Sequence, residues 1–146
     1  CHSVMLELGD WDTHTGNARQ SEKHEAFFAG LVSLTEGLEQ KQLLDSSLIL
    51  VLSEMGRTPK LNSSQGKDHW PVTSAIVFGS GVKGGRVIGG TDGLLGALGA
   101  NLSTGVVEAG GKQIQTGNLA AGVLALAGVD PAPHLPGLEP LHALGA

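Results

Sequence analysis

The most regular hydrophobic pattern in the chain is an unbroken apolar run at residues 48–52, between a polar segment and a glycine. Five apolar residues without alternation are typical of a strand that is buried on both faces. Ser53, Glu54 and Arg57 would then lie at and just beyond the carboxyl end of this strand. Because ligands in open α/β sheets bind outside the carboxyl ends of the strands, the pattern predicts a functional site there.

A further strand pattern and a helical pattern precede this run. Residues 3–8 predict a short strand, and residues 17–44 carry apolar side chains at steps of three and four, as in an amphipathic helix. A strand, a helix and a second strand in this order predict a parallel pair that is joined by a right-handed crossover. The first half of the chain therefore predicts an α/β fold with parallel strands.

The second half of the chain is less regular. Residues 74–78 predict a third strand and residues 86–88 a short one. Residues 118–127 predict a helix, with Asn118 as its N-cap. The proline-rich residues 131–146 predict a tail that is extended over the surface. At 146 residues, the chain is expected to form one domain.

Composition and charge exclude several classes of partner. The net charge is −5, and no basic cluster indicates a nucleic-acid surface. No apolar run approaches the roughly 20 residues of a membrane span, and the single Cys1 excludes an internal disulfide. The chain opens on Cys1 with a strand-like pattern directly after it, which favours an incomplete chain over a mature lipoprotein.

Potential metal ligands follow the first predicted strand. Asp10, Asp12 and His14 lie within five residues, and alternate residues of a loop can face one centre. Carboxylate oxygens suit hard divalent ions, and zinc accepts imidazole as well. The alternative is that an aspartate caps the next helix and His14 is a solvated turn residue. Because parallel strands would bring this loop and Glu54 to one crevice, the metal interpretation gains support.

A third polar segment precedes the strand predicted at residues 74–78. Residues 66–71 read Gly-Lys-Asp-His-Trp-Pro, so Asp68 and His69 add two more ligand types. They would reach the same region if this strand runs beside the one at residues 48–52. The alternative is structural, with Asp68 capping a turn and His69 orienting a neighbouring carbonyl.

Four segments, in order, resemble the bacterial domain-of-unknown-function family 1501 (DUF1501) of the alkaline phosphatase and sulfatase superfamily. They are residues 9–14 (Gly-Asp-Trp-Asp-Thr-His), 53–59 (Ser-Glu-Met-Gly-Arg-Thr-Pro), 66–71 and 85–92, which ends Gly-Gly-Thr-Asp. The resemblance implies a partial three-layer sandwich with a mostly parallel sheet and flanking helices. It also implies the carboxyl-terminal portion of a larger protein, which would be periplasmic or exported.

The resemblance further implies a metal-dependent hydrolase of small phosphate or sulfate esters. Arg57 would contact the anion, and the divalent ion would be zinc, manganese, iron, calcium or magnesium. Met55 stands where many hydrolases of the superfamily carry a ligand histidine, which weakens a full two-metal site. The ligand set implied by the resemblance is Asp12, His14, Glu54, His69 and Asp68, with Asp10 as an alternative.

Little hydrolysis is expected from this chain alone. In the superfamily the nucleophile and the first metal carboxylate come from the amino-terminal half of the fold, which this chain is expected to lack. The alternative function is a non-catalytic binding or assembly module, in which the polar groups at the strand ends hydrogen-bond one another.

Overall fold

The computed structural model describes residues 2–145, which divide into two compact units. The first unit holds the residues up to Leu44 and those from Ser53 to Ser74. The second unit holds Asp45–Leu52 and the residues from Ala75 onward. The described helices and strands, in chain order, are α1 (Gln20–Gln40), β1 (Leu48–Leu52), β2 (Gly56–Arg57), β3 (His69–Trp70), β4 (Ala75–Gly79), β5 (Gly99–Ala100), β6 (Lys112–Gln113) and α2 (Thr116–Leu126).

The strands form three antiparallel pairs. β1 pairs with β4, so that Leu48 lies opposite Gly79 and Leu52 opposite Ala75. β2 pairs with β3, and β5 pairs with β6. The predicted three-layer sandwich with a mostly parallel sheet is therefore wrong for the part of the chain that the structure describes.

The parallel arrangement fails because the first predicted strand does not form. Residues 3–8 have no strand pairing, and Val4 and Met5 are 85% and 89% exposed. β1 pairs instead with the next long apolar segment, β4, and with this single partner it is only partly buried. An apolar run identifies a strand but not the direction of its partner. Residues 86–88, predicted as a short strand, form none either.

Both predicted helices are present with different ends. Residues 17–44 begin with a 3₁₀ turn, Asn17–Arg19, which leads into α1. α2 begins before Asn118, so the N-cap assigned to that residue is wrong. Asn118 acts from inside the first turn, where its Oδ1 accepts a hydrogen bond from the Gln115 backbone N–H at 2.9 Å. Among the described residues, no helix has the length and apolar character of a membrane span.

The core of the second unit lies between α2 and the end of the chain. Leu102, Leu141, Ala143 and Leu144 are buried together, and apolar side chains of α2 pack against them. A Cβ added to Gly122 of α2 would lie 2.8 Å from the Leu141 carbonyl oxygen, so the two backbones approach closely. The end of the tail is thus core and not an extended surface segment, because its leucines find apolar partners on the helix.

Candidate metal centre

The candidate site lies in the first unit, where the loop before α1 is joined to the loop before β3. The Lys67 backbone N–H donates a hydrogen bond to the Thr13 carbonyl at 2.9 Å. The two loops approach closely at Gly66, where a Cβ would collide with the His14 carbonyl group. A glycine therefore lets the second loop hold His14 against the start of β3.

The β2–β3 pairing brings in the second group of side chains. Arg57 lies directly opposite His69 in this antiparallel pair, and residues that oppose each other project from the same face. Gly56 permits the close pairing, because a Cβ there would collide with the Val72 carbonyl oxygen. Two short strands thus place a guanidinium and an imidazole side by side.

Three potential ligand atoms converge at this point. His14 Nε2 lies 3.1 Å from Asp12 Oδ1 and 3.1 Å from His69 Nε2. His69 Nε2 lies 3.6 Å from Asp12 Oδ1, which closes the triangle. Among residues 2–145, these three side chains form the group of acidic and imidazole residues whose spacing suits a metal ion.

The size of the triangle fits a first-row divalent ion. The point in its plane that is equidistant from the three atoms lies about 1.9 Å from each, so an ion slightly outside the plane would have zinc-like bond lengths of about 2.0–2.2 Å. The side chains of Asp12, His14 and His69 are 67%, 45% and 54% exposed, so further coordination positions face solvent. Three protein ligands with an open position are the arrangement of catalytic zinc sites.

Asp68 lies behind His14, on the side away from the triangle. His14 Nδ1 is 3.0 Å from Asp68 Oδ1, and Asn62 Nδ2 donates to the same oxygen at 3.0 Å. Because an ionised carboxylate only accepts hydrogen bonds, Nδ1 must carry the proton, and in the neutral imidazole Nε2 then carries the lone pair. Metal-bound histidines commonly donate their other N–H to a carboxylate in this way. The position of Asp68 therefore suits a partner of a ligand and not a ligand.

Arg57 completes a cluster of charged and imidazole side chains that also contains Asp12, His14, Asp68 and His69. Its Nη2 donates to Asp12 Oδ1 at 2.5 Å, and its Nη1 donates to the Lys67 carbonyl at 3.2 Å. Nη1 also lies 3.5 Å from His14 Nε2. The guanidinium that the resemblance assigns to anion binding thus lies beside the triangle.

The electrostatics of the cluster favour a cation. The hydrogen bond from Arg57 lowers the pKa of Asp12 below its ordinary value of 3.8, with smaller contributions from the two nearby histidines. Hydrogen bonds from His14 and then Asn62 lower the pKa of Asp68 in the same way. Both carboxylates are therefore ionised at neutral pH. With only the guanidinium to balance them, the cluster carries one net negative charge while its histidines are neutral.

Besides Asp68, two more of the predicted ligands do not join the triangle. Asp10 has a left-handed backbone (φ 66°), which interrupts the extended alternation toward Asp12, and its carboxylate lies 3.8 Å from Lys23 Nζ. Glu54 is outside the group as well, and its Oε2 accepts a hydrogen bond from the neighbouring Ser53 hydroxyl at 3.4 Å. The prediction for Glu54 required a parallel neighbour for the strand that precedes it, and among residues 2–145 that strand pairs with the antiparallel β4 instead.

Sequence reasoning missed two residues that organise the site. Asn62 donates to both the His14 carbonyl and Asp68 Oδ1 at 3.0 Å. Thr13 is fully buried, and its hydroxyl donates to Asn17 Oδ1 at 2.9 Å. Neither side chain is a usual ligand type, so only the polar Asn-Ser-Ser context of the loop could have drawn attention to Asn62.

An open cleft adjoins Asp12. It has a volume of about 500 Å³ and is lined by Asp10, Asp12, Arg19 and Lys23. Its lining thus combines two cationic side chains with two carboxylates, one of which is a corner of the triangle.

Comparison with known proteins supports the family resemblance. A family model described as "Protein of unknown function (DUF1501)" matches residues 2–138. The matched region includes every segment that forms the cluster. No curated protein and no solved structure matches the chain at a significant level. The match confirms the family that the four motifs predict, while the superfamily and the carboxyl-terminal position within a larger protein stay predictions.

Proposed function

We propose, for a chain that belongs to the DUF1501 family, that Asp12, His14 and His69 bind one divalent metal ion. We further propose that the site serves a metal-dependent hydrolase of phosphate or sulfate esters. The chemistry of the alkaline phosphatase and sulfatase superfamily is part of this proposal, as is a carboxyl-terminal position in a larger protein. The parallel-sheet architecture that the superfamily implies is not part of the proposal.

The observation that carries the proposal is the meeting of three potential ligand atoms. The proton on His14 Nδ1 is directed at Asp68, so the lone pair of Nε2 faces Asp12 Oδ1 at 3.1 Å. The contact between this lone pair and a carboxylate oxygen is repulsive, and a cation bound between the two atoms would relieve the repulsion. His69 Nε2 is directed at the same point. A bound divalent ion would satisfy all three atoms at once.

The residues around the triangle suit ester hydrolysis. A divalent ion supplies Lewis-acid polarisation of an ester oxygen when it is bound. Arg57 has the planar donor geometry that matches a tetrahedral oxyanion, and Asp68 keeps His14 in the tautomer that can coordinate. The cleft beside Asp12 is large enough for a small ester. No residue of this chain is assigned as the nucleophile.

The donor set narrows the choice of metal. Two imidazole nitrogens and one carboxylate suit zinc, manganese or iron. Calcium and magnesium prefer oxygen ligands, and with two of three donors nitrogen they fit this triangle less well. Zinc and manganese are therefore the ions to test first.

Isothermal titration of the metal-depleted chain with Zn²⁺ and Mn²⁺ tests the metal site. We expect one ion per chain, with affinity reduced at least about 100-fold in His14→Ala and His69→Ala, since loss of an outer-shell partner alone costs about 10–100-fold. His24→Ala is the matched control, because His24 lies in α1 of the same unit and hydrogen-bonds the Gln20 carbonyl. Equal binding by all three variants, or no binding by the unmodified chain, would contradict the proposal.

Hydrolysis is tested separately with para-nitrophenyl phosphate and para-nitrophenyl sulfate. We expect little turnover from this chain, because no nucleophile is assigned in it. Metal-stimulated turnover that disappears in His69→Ala would show that the chain does contain a complete site. A longer protein that includes this chain, and that binds metal but hydrolyses neither ester class, would refute the hydrolase assignment alone.

A non-catalytic binding or assembly module is the second candidate, and one observation favours it. The cluster is already paired without a metal: Arg57 donates to Asp12, and Asp68 accepts from His14. Such a network could serve stability alone. Thermal unfolding with and without a chelator separates the candidates, because a module keeps the same stability and a metal-binding protein loses stability when the ion is removed.

A further inference from the structure

Arg57 is the least exposed charge of the cluster. Its side chain is 19% exposed, against 67% for Asp12 and 54% for His69. Arg57 lies in β2, directly opposite His69, and its Nη1 donates a hydrogen bond to the Lys67 carbonyl at 3.2 Å. The positive charge of the guanidinium is therefore kept close to the triangle.

Arg57 and the proposed metal ion use the same atom. Nη2 of Arg57 donates to Asp12 Oδ1 at 2.5 Å, and this oxygen is also a corner of the triangle, 3.1 Å from His14 Nε2. Nη1 lies 3.5 Å from His14 Nε2, a second corner. Two positive charges at such distances repel each other, and the repulsion grows as water is excluded.

We propose that Arg57 is the resident counter-cation of the metal-free site and competes with the metal for Asp12 Oδ1. Metal uptake then displaces Nη2 of Arg57 from the carboxylate, and the released N–H groups become available to an anion bound at the metal. This inference rests on the proposed metal site and extends it. It assigns Arg57 two successive partners, which makes anion binding depend on prior metal binding.

A purely orienting role for Arg57 predicts the opposite result. If the guanidinium holds the carboxylate ready for the ion, as an outer-shell partner does, its removal weakens metal binding about 10–100-fold. If it competes with the ion, its removal strengthens metal binding. The sign of the change therefore decides between the two roles.

The experiment compares Zn²⁺ and Mn²⁺ affinities of the metal-depleted chain with those of Arg57→Gln, Arg57→Lys and Lys41→Gln. Lys41→Gln is the matched control, since it removes the same charge at the far end of α1 in the same unit. We expect Arg57→Gln to bind metal about tenfold more tightly, as removal of one nearby like charge predicts. Arg57→Lys, which keeps the charge, and the control should remain close to the unmodified chain. Thermal unfolding in chelator checks that each variant is folded.

The anion half of the inference is tested by titrating the metal-loaded proteins with inorganic phosphate. We expect Arg57→Gln to bind phosphate about tenfold more weakly, since it loses a charge-assisted donor. Arg57→Gln with unchanged or weaker metal affinity, beside an unmodified chain that binds metal, overturns this inference and leaves the metal site standing. If neither protein binds metal, both proposals fail.

Discussion

Gly66→Ala is the sharpest test of how the loops build the site. Gly66 is buried and has no positive φ, so alanine can adopt its backbone conformation without strain. The added Cβ would nevertheless collide with the carbonyl carbon and oxygen of His14 and the amide nitrogen of Thr15, all backbone atoms. No side chain can rotate away, so the two loops must separate.

The size of the separation follows from ordinary contact distances. The added Cβ would lie 2.0 Å from the carbonyl carbon of His14, so the backbone at His14 must move by roughly 1.5 Å to restore a carbon contact of about 3.5 Å. Functional constellations tolerate displacements of only about 0.5 Å, so His14 Nε2 would leave the triangle. We expect Zn²⁺ affinity to fall about 10–100-fold, as for other lost supports of a metal ligand. The free energy of unfolding should fall by about 1–3 kcal/mol, as for other overpacked sites.

The assay is isothermal titration with Zn²⁺, together with urea unfolding of the metal-depleted protein. Gly9→Ala is the matched control, because it makes the same substitution in the same unit and its Cβ would meet nothing within 4 Å. Gly66→Ala that binds metal as tightly as Gly9→Ala and unfolds at the same urea concentration would refute the reasoning. The loop contact would then be incidental to the placement of His14.

Three further outcomes are expected. Asp68→Ala should weaken Zn²⁺ binding about tenfold in isothermal titration, since His14 loses its tautomer-fixing partner; unchanged affinity would contradict that role. Leu144→Ala should lower the free energy of urea unfolding by about 2–4 kcal/mol, because Leu144 is buried, whereas Leu94→Ala, at a site 79% exposed, should change it little. The pKa values of Asp12 and Asp68 are lowered from 3.8 in the folded protein. The two ionised carboxylates therefore stabilise the fold above pH 3.8, and this stabilisation is lost as the pH falls through the folded-state pKa values. Urea unfolding measured across this pH range should therefore show a fall in the free energy of unfolding, and the fall should be smaller when both aspartates are replaced by asparagine.

The identity of the converging side chains was predicted from the sequence more successfully than the backbone arrangement that brings them together. Asp12, His14 and His69 were expected to converge because parallel strands end at one edge of a sheet. They do converge, but through an antiparallel β2–β3 pair and a backbone contact between Thr13 and Lys67. Backbone pairing uses groups that every residue except proline carries, so side-chain patterns do not specify it.

Residue type alone also predicted too many ligands for the metal ion. Five acidic and imidazole residues were expected to bind the ion, with Asp10 as an alternative, and the structure brings three of the five to the triangle. Glu54 was included because it follows an apolar run. That argument required a neighbouring parallel strand, and within the part of the chain that the structure describes β1 pairs with the antiparallel β4 alone.

The separate roles of Asp68 and His69 follow from a rule that the sequence alone could have supplied. Successive side chains of an extended segment point to opposite sides, so Asp68, directly before β3, and His69, its first residue, are not expected to reach the same ion. His69 faces Asp12, and Asp68 instead reaches His14 Nδ1 from behind. An adjacent Asp-His pair in a strand therefore predicts one ligand and one hydrogen-bond partner for a neighbouring ligand. On this argument an exchange of the two residues should abolish metal binding even though it leaves the composition of the site unchanged.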